Sequence, residues 1–213
     1  MKFSQLVEMV DDEPVFETGL LLAGNLDPED VRRQLSRWTQ AGRIYLLRRG
    51  LYALAPPFQK VRPHPFVIAN RLARGSYVSC QSALAHYHLI PEHVPVATSV
   101  TTGRPGRWDT PLGSFEFRHI QIGLLRGYRL MELGERQRAF VATPEKALLD
   151  LIYLQPAGDS PLYLHGLRLQ NLDILNLDEL RRHADLSHRP KLRRAAERVT
   201  ALARAEALEY ESL

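Results

Sequence analysis

Apolar residues recur along the chain at two spacings, and these spacings predict the order of its elements. Intervals of three and four residues predict helices over 3–10, 15–22 and 27–41. Residues 43–54 then form two β-prone runs around Arg48-Arg49-Gly50, which predicts a hairpin with a basic tip. The beginning of the chain is therefore predicted to be three helices followed by a β-hairpin.

The predicted third helix has a defined start and two contrasting faces. Asp27 can cap free backbone amides, and Pro28 suits the first helical position. The apolar stripe of the helix comprises Val31, Leu35 and Trp38. The opposite, polar stripe comprises Arg33, Ser36, Arg37 and Gln40. A helix packed from behind with long donors in front is typical of a module that reads the major groove of DNA.

Beyond residue 57 the pattern becomes a mixture of strands and helices. Prolines at 56, 57, 63 and 65 interrupt regular structure and indicate a boundary. The following spacings predict helices over 65–73 and 81–88, strands over 98–102, 114–118 and 139–142, and helices over 146–154, 172–184 and 190–210. We therefore predict an α+β fold: an N-terminal winged helix-turn-helix domain over 1–57, then a mixed α/β C-terminal domain over 66–213 with a helical C-terminus.

Basic residues are concentrated in a stretch that contains no acidic residue. Between Asp30 and Glu92 the chain holds ten of its 28 Lys and Arg residues. They are Arg32, Arg33, Arg37, Arg43, Arg48, Arg49, Lys60, Arg62, Arg71 and Arg74. The net charge of the whole chain is only +4, so the segregation rather than the sum favours a polyanion such as double-stranded DNA.

The predicted DNA contacts fall on the third helix and the hairpin. We expect groove contacts from Arg33, Ser36, Arg37 and Gln40. We expect contacts with the phosphate backbone or the minor groove from Arg48 and Arg49, with Arg32 and Arg43 flanking. The alternative is a solvated helix face followed by an ordinary charged turn. The lack of nearby acidic residues in the sequence favours the first interpretation.

A second basic segment lies at Gly103-Arg104-Pro105-Gly106-Arg107, within an expected irregular loop over 103–108. Arg104 and Arg107 on a glycine-rich loop can approach phosphate closely, which makes them a candidate second nucleic-acid contact. Equally, they can pair with nearby carboxylates in a long hairpin connection.

The sequence predicts no catalytic residue, no metal site and no cofactor. Asp109 and Glu116 match a nuclease pattern poorly, because Arg118 stands where a lysine is expected and a guanidinium cannot act as a base. His86, His88 and His93 fit no common zinc spacing. Cys80 is the single cysteine and lies among expected core positions, so we expect it to be buried rather than nucleophilic.

The composition also favours a location in the cytoplasm. A single cysteine allows no intrachain disulfide, which suits a reducing compartment. The N-terminal MKFSQLVEMVDDE lacks the apolar centre of a signal peptide, and no stretch is apolar over the length of a membrane span. We therefore expect a protein without a membrane partner.

Five stretches resemble one known family. They are YVSCQSALAH (77–86), LIPE (89–92), TSVTTGRP (98–105), FEFRH (115–119) and TPEKALLDL (143–151). Together with the basic helix and hairpin, they resemble the AbiEi-like family of abortive-infection antitoxins and predicted transcriptional regulators. The resemblance extends to about residue 155.

The resemblance implies a non-enzymatic protein with two roles. The N-terminal winged helix would repress the protein's own operon by binding operator DNA. The C-terminal domain would oppose a nucleotidyltransferase-like toxin, as in a type IV toxin-antitoxin system, without forming a stable complex with it. Two alternatives remain: a stand-alone regulator whose C-terminal domain senses a ligand, and a nuclease-like domain that processes nucleic acid.

Overall fold

The computed structural model describes residues 1–22 and 27–211 as a mixed α+β structure. The last two residues of the predicted C-terminal domain, 212 and 213, lie outside the described residues. In chain order the helices and strands are α1 (Phe3–Val10), β1 (Phe16–Glu17), α2 (Thr18–Leu22), α3 (Pro28–Gln40), β2 (Ile44–Arg48), β3 (Leu51–Leu54), α4 (Pro65–Leu72), β4 (Tyr77–Val78), α5 (Cys80–His86), β5 (Val96–Thr101), β6 (Gly106–Thr110), β7 (Gly113–His119), β8 (Tyr128–Glu132), β9 (Arg138–Ala142), α6 (Pro144–Leu154), α7 (Pro161–Gly166), α8 (Leu177–Leu186) and α9 (Pro190–Glu211).

The first three helices pack against one face of a small antiparallel sheet. The sheet has the strand order β1-β3-β2, and β2 and β3 form the predicted hairpin around Arg49 and Gly50. Gly50 has a φ of 80°, a left-handed conformation that a two-residue turn requires and that glycine adopts without strain. The buried core between helices and sheet comprises Leu6, Val10, Phe16, Leu21, Val31, Leu35, Ile44 and Leu54.

The rest of the chain forms a six-stranded mixed sheet with the order β6-β7-β5-β4-β9-β8. The pairs β5–β7 and β4–β9 are parallel, and the other neighbours are antiparallel. Helix α6 is buried along most of its length and packs on α5, α8 and α9. The sheet and these helices enclose the larger hydrophobic core of the molecule.

The small sheet contributes to both cores. Along β3 the side chains alternate: Tyr52 and Leu54 face the core of the first three helices, whereas Leu51 and Ala53 join the larger core. Leu47 of β2 also joins the larger core. The hairpin therefore packs against both parts of the chain. We call the part up to β3 the N-terminal half and the part from α4 onward the C-terminal half.

The predicted helix over 15–22 is wrong at its beginning. Phe16 and Glu17 pair with Tyr52 and Leu51 of β3, and the helix begins only at Thr18. The ring of Phe16 stacks on Tyr52 at 5.7 Å between centroids. Pairing with a strand distant in sequence outweighs the local helical spacing of this segment.

Two other predicted boundaries are also wrong. The expected irregular loop over 103–108 gives way to β6, which begins at Gly106 and pairs with β7. The expected helix over 172–184 is broken, because a 3-10 turn at its start ends before Asn176. The Asn176 side chain caps α8 by accepting hydrogen bonds from the amides of Asp178 and Glu179.

Within residues 1–22 and 27–211, no helix combines the length and the apolar character needed to cross a membrane.

Candidate nucleic-acid interface

Helix α3 is held by its N-terminus and by its apolar face. The Asp27 carboxylate accepts hydrogen bonds from the amides of Glu29 at 2.8 Å and Asp30 at 3.0 Å. Val31 and Leu35 are buried, and Trp38 is half-buried. These contacts fix which side of the helix faces the solvent.

The structure brings five of the predicted contact residues together on that solvent face. All five are exposed, and four of them lie on the side of α3 opposite its buried face, with Arg32 beside them. The five are Arg32, Arg33, Ser36, Arg37 and Gln40. The helix therefore presents three guanidinium groups, one hydroxyl and one amide to a ligand, a set that suits base edges and phosphates.

Arg33 differs from the other arginines on α3, because it already has a partner. Its guanidinium forms an ion pair with Asp30, one helical turn earlier, and both side chains are largely exposed. An exposed pair of this kind contributes less than about 1 kcal/mol, so a phosphate can compete with the carboxylate. A contact by Arg33 would replace this ion pair.

The two arginines of the hairpin lie in different environments. Arg49 is exposed in the turn between β2 and β3. Arg48 ends β2 and is half-buried, and its guanidinium donates to the carbonyl oxygen of Arg71 on α4 at 3.2 Å. The structure thus places Arg49 at the tip, as predicted, but ties Arg48 to the C-terminal half of the molecule.

Arg43 is exposed at the end of the turn after α3, and its guanidinium carbon lies 5.1 Å from the centroid of the Phe3 ring. This distance is that of a cation–π contact. Arg43 is therefore oriented by α1 and flanks the exposed face of α3.

The basic stretch has more acidic partners than its sequence suggests. Arg74 binds Glu17 at 2.5 Å, and Lys60 forms an ion pair with Asp11. The hydrogen bond from Arg74 holds the pKa of Glu17 below its usual value. The expectation of an unpaired basic stretch is thus wrong for the residues nearest the C-terminal half, because acidic residues from the beginning of the chain fold back onto them.

Three of the predicted contact arginines have no acidic partner of this kind in the described part of the chain. Within residues 1–22 and 27–211, no salt bridge joins Arg32, Arg37 or Arg49 to a carboxylate. Positive charge therefore remains on the face of α3 and at the hairpin tip.

The second basic segment lies close to the hairpin. Strand β6, which carries Arg107, is in contact with β2. Arg107 is exposed and pairs with Asp109 at 3.3 Å, whereas Arg104 is exposed in the loop before β6. Of the two interpretations of this segment, the pairing with a carboxylate applies to Arg107.

Asp109 and Glu116 lie on adjacent strands and bind neighbouring side chains. Asp109 accepts hydrogen bonds from Ser114 and Arg107, and the Ser114 hydroxyl makes the larger contribution to lowering the Asp109 pKa. Glu116 pairs with Arg118 at 3.4 Å. Among the described residues, no three His, Cys, Asp or Glu side chains are grouped so that they could hold a metal ion.

A buried polar cluster, which sequence reasoning missed, lies beneath the six-stranded sheet. The Asp150 carboxylate accepts hydrogen bonds from Tyr77 at 3.0 Å and Ser79 at 2.8 Å, and it forms an ion pair with Lys146. Lys146 and Asp150 are only 5% and 1% exposed. Burial raises the pKa of the Tyr77 hydroxyl, and the neighbouring Asp150 raises it further.

The residues of this cluster come from two of the stretches that carry the family resemblance. Tyr77 and Ser79 belong to YVSCQSALAH, and Lys146 and Asp150 belong to TPEKALLDL. The spacing of four residues between Lys146 and Asp150 on a predicted helix was the available signal. Burial also raises the pKa of the adjacent Cys80 thiol, which does not favour nucleophilic chemistry.

No protein-family profile matches the chain, and no curated protein matches it.

Proposed function

We propose that this chain is a DNA-binding transcriptional autorepressor of the AbiEi-like family and the antitoxin of a type IV toxin-antitoxin system. The exposed face of α3 is the observation that carries the DNA-binding part. It combines long donors with a rigidly packed back, and among the described residues Arg32 and Arg37 form no salt bridge with a carboxylate.

The order of elements in the first 54 residues also supports a winged helix. Helix, strand, two helices and a hairpin follow one another, with β1 completing a three-stranded sheet. In the helix-turn-helix arrangement, the last helix enters the major groove. The hairpin would then be the wing, with Arg49 close to the phosphate backbone.

The direct test is binding of the full chain to its own upstream DNA, compared with a scrambled duplex of equal length, at two salt concentrations. We expect selective binding whose affinity falls with salt, because neutralising roughly four to six phosphates releases counterions. Weak binding that ignores sequence would contradict the repressor proposal.

A pair of matched variants assigns the interface to α3. Arg33→Ala with Arg37→Ala should weaken operator binding by at least roughly tenfold, since each base contact is worth about 1–3 kcal/mol. Arg181→Ala with Arg182→Ala removes the same charge from α8, where Arg181 is half-buried, Arg182 is exposed and both form ion pairs within their own helix. Equal losses in the two double variants would remove α3 from the proposal.

The antitoxin part rests on the family resemblance and has its own test. The full chain should relieve growth arrest caused by a co-expressed nucleotidyltransferase-like toxin from the same operon. A variant with weakened DNA binding, such as Arg33→Ala with Arg37→Ala, should still give relief, because neutralisation is assigned to the C-terminal half. Failure of the folded wild-type chain to relieve arrest would contradict this assignment.

A cleft between the two halves favours a second candidate, the ligand-sensing regulator. It has a volume of about 1120 Å³ and lies between the acidic turn after α1, the C-terminal part of α4 and the β8–β9 hairpin. Such a volume is sufficient for a small molecule. An operon without a toxin gene would favour this candidate over the antitoxin.

A further inference from the structure

The two outer strands of the six-stranded sheet differ in their surroundings. Strand β6 lies at one end of the sheet and is in contact with β2. Strand β8 lies at the other end, and within the described part of the chain it pairs only with β9. The outer edge of β8 is therefore available to another strand.

The hydrogen-bond pattern of the hairpin shows which backbone groups point outward. The amide of Thr143 donates to the carbonyl of Gly127, and the amide of Leu133 donates to the carbonyl of Gln137, both at 2.9 Å. In an antiparallel ladder, hydrogen-bonded pairs alternate with pairs that exchange no hydrogen bond. The hydrogen-bonded positions of this ladder are thus the odd-numbered residues of β8.

Tyr128, Leu130 and Glu132 consequently direct their amide and carbonyl groups away from β9. The hydrogen bonds of β9 agree with this assignment. Phe140, which lies opposite Leu130, directs its backbone amide and carbonyl away from β8, where both form hydrogen bonds with the side chain of Asn70. Within residues 1–22 and 27–211, the outward groups of β8 have no hydrogen-bond partner. An edge of this kind is a template for strand addition.

The outward edge is complementary to itself. In an antiparallel register centred on Leu130, this residue faces Leu130 of a second copy, and Tyr128 faces Glu132 of that copy. Every outward amide then meets an outward carbonyl. On the opposite face Arg129 meets Met131 of the second copy, so no like charges are directly opposed.

The side chains along this edge leave apolar surface exposed. Tyr128, Leu130 and Phe140 share one face of the hairpin and are 40%, 51% and 44% exposed. The register of β8 with β9 has no bulge and β8 contains no proline, so two devices that commonly block an edge strand are missing, whereas the charged residues of the strand are Arg129 and Glu132. Glu132 is already neutralised by Arg138 at 2.7 Å.

We propose that two copies of this chain form a two-fold dimer by antiparallel pairing of their β8 strands. The pairing joins the two six-stranded sheets into one continuous sheet and extends the apolar strip across the symmetry axis. The interface is isologous, as in most homodimers. If α3 reads DNA, the dimer would present two such helices to inverted half-sites.

The first measurement is the solution mass of the full chain over a dilution series, in the absence of DNA. We expect a dimer of twice the 24.3 kDa chain mass, which dissociates on dilution. Leu130→Pro removes only an outward amide, and Leu130→Arg places like charges opposite each other. Both variants should be monomeric at concentrations where the wild-type chain is dimeric.

The matched control is Leu162→Arg, which changes an apolar side chain that is 85% exposed on α7. This variant should keep the wild-type mass. Circular dichroism of each variant verifies that the fold is retained.

Amide hydrogen exchange at residue resolution locates the interface. In the dimer, the amides of Tyr128, Leu130 and Glu132 should exchange at least roughly tenfold more slowly than in the diluted monomer. The amides of Arg129 and Met131, which bind β9, should change little. A monomeric wild-type chain, or a dimer in which the Leu130 amide exchanges as fast as in the monomer, would overturn the proposal. Because no DNA is present, neither result bears on the repressor proposal.

Discussion

At the scale of single residues, the ion pair of Lys146 and Asp150 carries the largest desolvation cost. Both charges are removed from water, so their mutual attraction and the added hydrogen bonds from Tyr77 and Ser79 must offset a large desolvation cost. The side chain of Lys146 also lies 5.7 Å from the centroid of the Tyr77 ring, in a cation–π contact. Each group of the cluster thus depends on the others.

Asp150→Ala should destabilise the protein by about 3–5 kcal/mol, because the buried ammonium of Lys146 is left without its counter-charge. The free energy of unfolding in urea measures this change. Asp185→Ala, which breaks an exposed pair with Arg193, should cost less than about 1 kcal/mol. Similar losses in the two variants would show that the buried pair has no special weight.

A second residue-scale prediction concerns pH. The side chain of His183 is 8% exposed, and burial, aided by the charge of Arg182, lowers its pKa. The unfolded imidazole, with a pKa of about 6.5, binds its proton at a higher pH than the folded one. The stability contributed by neutral His183 is therefore complete above that pH and is lost as the pH falls below it.

The free energy of unfolding should consequently decrease between about pH 6.5 and pH 5, above the usual range of carboxylates. His183→Asn should reduce this decrease without abolishing it, since burial also lowers the pKa of His64 and His86. Urea titrations of both proteins at several pH values provide the measurement. An acid dependence unchanged by the substitution would contradict the prediction.

At the scale of elements, the hairpin shows how one basic dipeptide serves two purposes. The sequence places Arg48 and Arg49 in one basic tip, but the strand extends through Arg48 and directs its side chain towards α4. The sequence could not reveal this, because the acceptor is a backbone carbonyl 23 residues away.

Separate substitutions should therefore have different effects. Arg49→Ala should weaken DNA binding on all sequences and reduce the slope of log affinity against log salt by about one, with unchanged stability. Arg48→Ala should destabilise the fold by about 1–3 kcal/mol, because a hydrogen bond from a charged donor is lost. Binding and unfolding measured on both variants distinguish these roles. Identical behaviour would mean that both arginines belong to the tip.

Local patterns predicted the elements with strong signals and missed those defined by distant partners. The cap and apolar face of α3, and the apolar spacing over 146–154 in α6, identified these two helices from the sequence. Strand β8 gave no signal, because its sequence YRLME belongs to an exposed edge and lacks an alternating buried face. The sequence also did not predict strand β6, because Gly106 and the neighbouring proline indicate a loop. The pairing with β7 makes this segment a strand.

At the scale of the whole molecule, the two halves should unfold together. Leu47, Leu51 and Ala53 of the hairpin lie in the core of the C-terminal half, so neither half buries its apolar surface alone. The sequence suggests a domain boundary near residues 56–65, from the proline content of that segment. Shared burial of this kind is invisible to local patterns, because it depends on how strands from two regions meet.

The two tryptophans allow this to be tested. Trp38 packs against Phe3 beside the first core, and Trp108 packs against Phe117 in the second. Trp108→Phe and Trp38→Phe each leave one fluorescent reporter. In each variant, the unfolding transition followed by tryptophan fluorescence should coincide with the transition of the same variant followed by circular dichroism. A reporter at Trp38 that melts separately would show that the first half is independent.

The buried amide of Gln137 gives the connecting segment a mechanical character. Its oxygen accepts from the amide of His64 at 2.8 Å, and its nitrogen donates to the carbonyl of Arg62 at 3.0 Å. The proline-rich segment is thereby held against the β8–β9 hairpin by both polar atoms of the Gln137 amide. These two hydrogen bonds restrain the segment, so a rotation of the first three helices against the six-stranded sheet would have to distort or break them.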